Sequence, residues 1–234
     1  MRTILTRELR AYFLTPLGYI IIAAMYFFTA YYFFTYNLYG NTTDTSTMFS
    51  MLFSVVMFLV PILTMRLLSE ERRAKTEQTL LTAPVSRLCI VLSKYAAALL
   101  LYLIAISGTL VMALVLQRYS RPDWPVIAGN FIGLFLLGAA LIAICLFVSA
   151  FTESQVIAAV GGFGVSLFLV ISDALYYVVQ SRALRALFSQ FSFHGRYGSF
   201  TAGVIELSDL CFFLSVAGLF VALTVAALER RRWA

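Results

Sequence analysis

Six apolar stretches, each near the ~20 residues that carry an α-helix across the hydrocarbon core of a bilayer, alternate with short polar or charged segments. They run from about Leu17 to Tyr36, Met48 to Met65, Tyr95 to Gln117, Val126 to Phe151, Val156 to Val179 and Asp209 to Leu228. With 62% hydrophobic and 12% charged residues and a mean hydropathy of +0.91, the chain is too apolar for a soluble domain, whose apolar share is about half. The expectation is an all-α integral membrane protein: six transmembrane helices in one domain over residues 1–234.

The segment from Arg66 to Lys94 contrasts most with this pattern. It holds Arg66, Glu70, Glu71, Arg72, Arg73, Lys75, Glu77, Arg87 and Lys94 between two apolar runs. At roughly 2.5–3.5 kcal/mol per charge at a bilayer centre, burying all of them in lipid costs on the order of 20 kcal/mol or more. The segment is therefore expected outside the membrane. Good helix formers, no Gly and a stop at Pro84 predict a short surface helix over Glu70 to Ala83. Thr76, Thr79 and Thr82 with Leu80 and Leu81 give it a partly apolar face suited to another protein. A solvated charge run flanking the membrane is the plainer alternative.

Ahead of the first span, Met1 to Thr15 has Ile4, Leu5, Leu9, Tyr12 and Phe13 on one side of a helix and Thr3, Arg7 and Arg10 on the other, the pattern of a helix lying along a membrane surface. Glu8 falls inside the apolar arc and so requires a partner. The first span is too long, and too rich in Tyr and Phe at its end, for a cleaved signal peptide. Pro61 is expected to kink the second span. Thr152 to Gln155 is a tight turn, making spans 4 and 5 an antiparallel hairpin. Small residues recur at spacing four in three rows: Gly129 and Gly133; Ala158, Gly162 and Ser166; Gly218, Ala222 and Ala226. Such rows let helices approach closely, either within one bundle or between subunits.

Asp173 is the one ionisable group well inside a span, and intramembrane carboxylates are candidates for a transport pathway. Its position about two turns from the span's end also allows water or a Tyr to satisfy it. Between spans 5 and 6, Leu184, Leu187, Phe188 and Phe191 oppose Arg182, Arg185 and Ser189, predicting an amphipathic interfacial helix that Gly195 and Gly198 then break. The single His194 reads as a loop or interface residue. Six spans put both termini on one side. That side carries twelve Lys and Arg against five on the other, so both termini and the 66–94 segment are expected in the cytoplasm.

Several functions are disfavoured. The basic residues behind the net charge of +6 sit at span ends, not in an aromatic-laced patch for nucleic acid. Cys89, Cys145 and Cys211 suggest neither a disulfide framework nor a metal site. There is no G-x-x-x-x-G-K-[ST] phosphate loop, no H-E-x-x-H and no Ser–His–acid set, so catalysis by this chain is not expected.

Three stretches carry a family resemblance. SEERRAKTEQTLLTAPVS, followed by Lys94, resembles the segment between the second and third spans of ABC-2-type transporter permeases, above all the branch containing GldF- and NosY-like proteins. The stretch TRELRAYFLTPLGYI resembles that family's E-x-R-x-Y-F-x-x-P-x-G-Y opening at Glu8, Arg10, Tyr12, Phe13, Pro16, Gly18 and Tyr19. GVIELSDLCFFLS and LTVAALERRRW resemble its last span, with Glu206 where those proteins often have Asp, close to Asp209.

The resemblance implies a type II exporter-like transmembrane domain. It has a cytoplasmic coupling helix, short external helices between spans 5 and 6, and a place in the bacterial cytoplasmic membrane. It implies ATPase contact through Glu70, Glu71, Arg72, Arg73, Lys75, Thr76, Glu77, Gln78, Leu80 and Leu81. Lys75, Thr76, Glu77 and Gln78 resemble a K-T-[DE]-Q variant in place of the more widespread Gly-Thr-x-Glu. Implied partners are two copies of an ABC ATPase, which would hold the ATP and Mg that this chain does not, a second permease copy or paralogue, and a GldG-like accessory membrane protein. The row Ala158, Gly162, Ser166 is the expected subunit interface. An anchor in an envelope or motility complex, and an ion-coupled carrier, are the other classes the sequence leaves open.

Overall fold

Apolar content and helix-forming composition drive every element, and a computed structural model describes residues 2–74, 86–119, 122–178 and 192–230 as helices joined by short turns, with no strand among them. The helices are α1 (Arg2–Leu14), α2 (Pro16–Tyr32), α3 (Ser46–Thr64), α4 (Ser69–Arg73), α5 (Arg87–Tyr119), α6 (Trp124–Ser149), α7 (Gln155–Val178), α8 (Phe193–Thr201) and α9 (Leu207–Arg230). Six of the resulting segments are long and apolar enough to cross a membrane: Pro16–Leu38, Ser46–Arg73, Arg87–Tyr119, Trp124–Ser149, Gln155–Ala174 and Leu207–Glu229. The chain is thus an all-α, multi-pass membrane protein. Pro16 opens α2 where its missing N–H costs nothing. The end of that span, Phe33–Leu38, relaxes into a π-helical turn.

Span 4, α6, is the centre of the bundle. It is buried along most of its length and touches α3, α5, α7, α8 and α9, whereas α2, α7 and α9 turn most of their surface outward. Glycines set two of these contacts. A Cβ on Gly133 would stand 2.6 Å from the Phe200 Cβ, and one on Gly138 would stand 2.2 Å from the Tyr102 ring, whose hydroxyl donates to the Leu134 carbonyl at 2.7 Å.

The structure departs from the sequence expectations in four places. The helix of span 3 begins at Arg87, ahead of the apolar run expected from about Tyr95, so residues 87–94 are its first two turns. Lys94 is buried at 1% exposure, inside protein rather than lipid, because two carboxylates meet it there. Gly195 and Gly198 lie within α8 instead of breaking a helix. Two caps hold α8 around them: Ser192 accepts from the Gly195 N–H at 2.9 Å, and Gly203, at φ +77°, closes a Schellman turn with Gly203 N to Phe200 O and Val204 N to Ser199 O. The row Gly129, Gly133 packs on α8, while Gly218 looks onto open space.

The coupling helix expected over Glu70 to Ala83 is described only as α4 and its cap, Ala74, whose N–H donates to the Glu70 carbonyl at 2.9 Å. Lys75, Thr76, Glu77, Gln78, Leu80 and Leu81 lie outside the described residues. So does the amphipathic pattern of Leu184, Leu187, Phe188 and Phe191.

Candidate functional site

Two ends of the bundle can be told apart by their contacts. At one, α1, α4, the α6–α7 turn and the end of α9 come together; at the other, α8 covers the ends of α3, α6, α7 and α9.

At the first end the chain leaves α3 at Thr64 and re-enters a helix at Ser69. The turn between is packed, with Leu67, Leu68 and Ser69 all buried. A helix end inside protein leaves carbonyls that need donors. The surrounding elements supply them. Tyr12 of α1 donates its hydroxyl to Leu63 O at 2.9 Å, and Lys94 of α5 donates to Leu67 O at 2.6 Å. Ser69 Oγ donates back to Met65 O, and Ser149 of α6 accepts from the N–H groups of Leu68 and Ser69 at 3.3 Å.

The Lys94 ammonium has three protons and three partners: Leu67 O, Glu8 Oε1 at 3.2 Å and Glu71 Oε1 at 3.1 Å. Arg7 closes the group by pairing with Glu8 at 2.8 Å and with Glu71. Among the described residues, two cations and two carboxylates drawn from α1, α4 and α5 thereby balance in charge. Burial pushes the Glu8 carboxyl up, but the Lys94 charge and the hydrogen bonds from Arg7 and Lys94 outweigh it and hold the group below its ordinary range. The hydrogen bond to Glu8 raises Arg7, and burial raises Tyr12.

Around this core lies a looser ring. Arg66 pairs with Glu70 at 2.9 Å, donates to Thr15 Oγ1 at 2.7 Å and lies 5.6 Å from the Tyr12 ring centre. Arg72 reaches Glu153 at 3.4 Å and Arg87 reaches Glu229 at 3.8 Å, both pairs half open to solvent and weak for that reason. The junction joins α4 rigidly to the ends of α1, α3 and α5.

At the α8 end, Asp173 Oδ2 accepts from the backbone N–H of His194 at 3.1 Å, so this intramembrane carboxylate caps the N-terminus of α8. The His194 ring sits edge-on to Phe53, 5.0 Å between centres, and Tyr197 donates to Phe49 O at 2.9 Å. Arg196 pairs with the buried Asp209 at 2.9 Å and lies 4.2 Å over the Phe212 ring. Glu206 is exposed just ahead of α9.

Between the two ends, α3 and α7 are drawn together at one point and part beyond it. A Cβ on Gly162 would meet Pro61 at 2.9 Å and Cys145 Sγ at 3.4 Å, so the row Ala158, Gly162, Ser166 packs on α3 and α6 of its own chain. Past it opens a groove of about 520 Å³ lined by Ser54, Met57 and Phe58 of α3 and by Phe163, Ser166, Leu167 and Val170 of α7.

Of the residues picked out in the sequence, Glu71 is in the charge group, Glu70 and Arg72 are in its outer ring, and Arg73 is exposed. Arg7, Glu8, Tyr12 and Lys94 were named in the sequence but not as coupling or pathway residues. Two signals were available: Glu8 needed a partner in its apolar arc, and Lys94 shares a helix face with the buried Ile90, Val91, Ala97, Ala98 and Leu101.

No curated protein matches the chain. The family described as ABC-2 family transporter protein matches residues 14–228, all six spans included. The chain therefore belongs to the ABC-2 family of transporter membrane proteins.

Proposed function

We propose that the chain is the permease subunit of an ATP-driven exporter in a bacterial cytoplasmic membrane, one copy of a pair that works with two separate ATPase subunits. In this reading residues 1–234 form one transmembrane domain. Its termini and α4 face the cytoplasm, and the ATPase docks on the segment that follows α4. A GldF/NosY-like placement, with a GldG-like accessory protein, fits the K-T-E-Q run at Lys75 to Gln78.

One observation carries the proposal: α4, where the chain departs toward that segment, is tied by Glu71 to the buried Lys94 of α5 and to the half-exposed Arg7 of α1, and by the Met65–Leu68 turn to α3. A displacement delivered there has to move three helices. The groove between α3 and α7 is the nearest feature able to respond and is where substrate would pass. The outward apolar face of α7, with Ile157, Val160, Leu167 and Phe168 all exposed, supports a second copy closing over it.

The test is the pair Glu77→Ala and Leu80→Asp in one chain. Expression and folding should persist while ATP hydrolysis by the bound ATPase no longer drives transport. Unchanged ATPase binding and transport would refute docking on this segment.

A further inference from the structure

Three polar groups stand out in the outer half of α7 and the groove beside it. Ser54 and Ser166 are the groove's hydroxyls. Ser166 is buried, yet its Oγ makes no hydrogen bond, whereas Ser172 on the same helix and Thr224 on α9 spend theirs on the carbonyl four residues back. Asp173 is 7% exposed; its Oδ2 caps α8, and its Oδ1 has no partner.

Ser166, Val170 and Asp173 follow one another at spacings of four and three, so they share a face of α7, and the rise of a helix puts Asp173 about 10 Å beyond Ser166 toward α8. Ser166 and Val170 line the groove, and Asp173 stands past its outer end. Buried polar atoms are nearly always paired, and a carboxylate left half-paired is expensive. Arg196 spends Nη1 on Asp209, and its Nε, although also without a partner, makes no bond to Asp173.

We propose that the groove takes an amphipathic ammonium compound. Its apolar body lies along Met57, Phe58, Phe163 and Leu167, its cationic head donates to Asp173 Oδ1, and a polar group part-way along meets Ser166. This rests on the groove being the substrate path. An acceptor at the outer end and aromatic rings along the walls are the complement of a cation on an apolar chain. The hydrogen bond that the His194 N–H donates to Oδ2 makes the head-group site part of the seat of that helix, so an ammonium on Oδ1 shares the carboxylate that holds α8 down.

The experiment is photolabelling of the full chain in lipid nanodiscs with a diazirine-bearing dodecylammonium, alongside the matched alcohol and alkyl sulfate. Peptides spanning residues 54–58 and 160–170 are then mapped by mass spectrometry. The ammonium probe should label them and be displaced by unlabelled dodecylammonium. Asp173→Asn, which keeps an acceptor for the His194 N–H, should weaken its binding about tenfold, and Ser166→Ala by a smaller factor. The alcohol should be indifferent to both changes, and the exposed Asp123→Asn should leave all three probes as they were. Unchanged ammonium labelling in Asp173→Asn, equal labelling by alcohol or sulfate, or an equal loss in Asp123→Asn would overturn the inference. If the alcohol labels the groove and the charge adds nothing, the substrate class falls and the path stands. If no probe labels it, the path falls too.

Discussion

Replacing Lys94 with Met tests the charge group most directly, because Met keeps the length and apolar stem of Lys and removes only the ammonium. The loss takes from Glu8 and Glu71 the cation they share besides Arg7, and strips Leu67 O of its 2.6 Å donor. Removing one member of a buried ion pair costs about 3–5 kcal/mol. Arg7 remains and the two carboxylates are not wholly enclosed, so the lower part of that range applies, about 3 kcal/mol. At roughly 2–4 °C per kcal/mol for a chain of this size, the apparent melting midpoint should fall by about 6–12 °C. Circular dichroism melting in one detergent, wild type beside variant, reads it. Adding Glu8→Gln should cost less in the Lys94→Met background than in the wild type, with a coupling of about 1–2 kcal/mol, since the carboxylate has by then lost its main partner. A Lys94→Met midpoint within a degree or so of wild type, or strict additivity in the double variant, would refute the idea that a balanced buried group holds α1 on α5.

The same group predicts a pH dependence. The Glu8 carboxyl is held below its unfolded value, so the stability it contributes is complete above the ordinary carboxyl range and disappears as pH falls through its folded value. Melting midpoints should therefore be flat from neutral pH down to the ordinary carboxyl range and drop only below it. In Lys94→Met, without the Lys94 charge, the Glu8 carboxyl is held down less, so the drop at low pH should be smaller than in the wild type. Gly138→Ala should destabilise by about 1–3 kcal/mol, because its methyl would enter the Tyr102 ring. Gly218→Ala, with nothing within 4 Å, should be neutral or slightly stabilising by the same melting assay.

Length and hydropathy alone made the six spans legible, because a bilayer admits few ways to place a run of ~20 apolar residues. The amphipathic start was legible for a similar reason: α1 needs one buried and one wet face. What the pattern did not show is that a charge kept out of lipid can be buried in protein instead of facing water. Lys94 reads as a border residue until Glu8, distant in sequence, arrives beside it, and that pairing is a tertiary fact. Glycine misled in the same manner. Gly195 and Gly198 lower helix propensity, but Ser192, Asp173 and Gly203 cap the short helix at both ends and outweigh it. Asp173 stood out by its depth, yet that α8 hangs from it could not be read from spacing, since the two meet only in the folded bundle.

One helix touches all three features. At its inner end α3 is gripped through Leu63 O by Tyr12 and runs into the turn that Lys94 and Ser149 hold. In its last turn, Pro61 offers no N–H to the carbonyl of Met57, which weakens the helix at the level where Gly162 presses on it. Farther out, α3 lines the groove with Ser54, Met57 and Phe58, and beyond that Phe53 meets the His194 ring while Phe49 O receives the Tyr197 hydroxyl. Tight packing against Gly162 makes that level a fulcrum, because backbone there has no room to slide. A tilt imposed on the inner end, as the proposed mechanism requires, then swings the outer half the opposite way. It changes the groove's width and strains the contacts that α3 makes with α8, the helix whose N-terminus Asp173 caps. Charge at one end and a capped helix at the other are in this way mechanically one system, connected by a rod with a proline at its pivot.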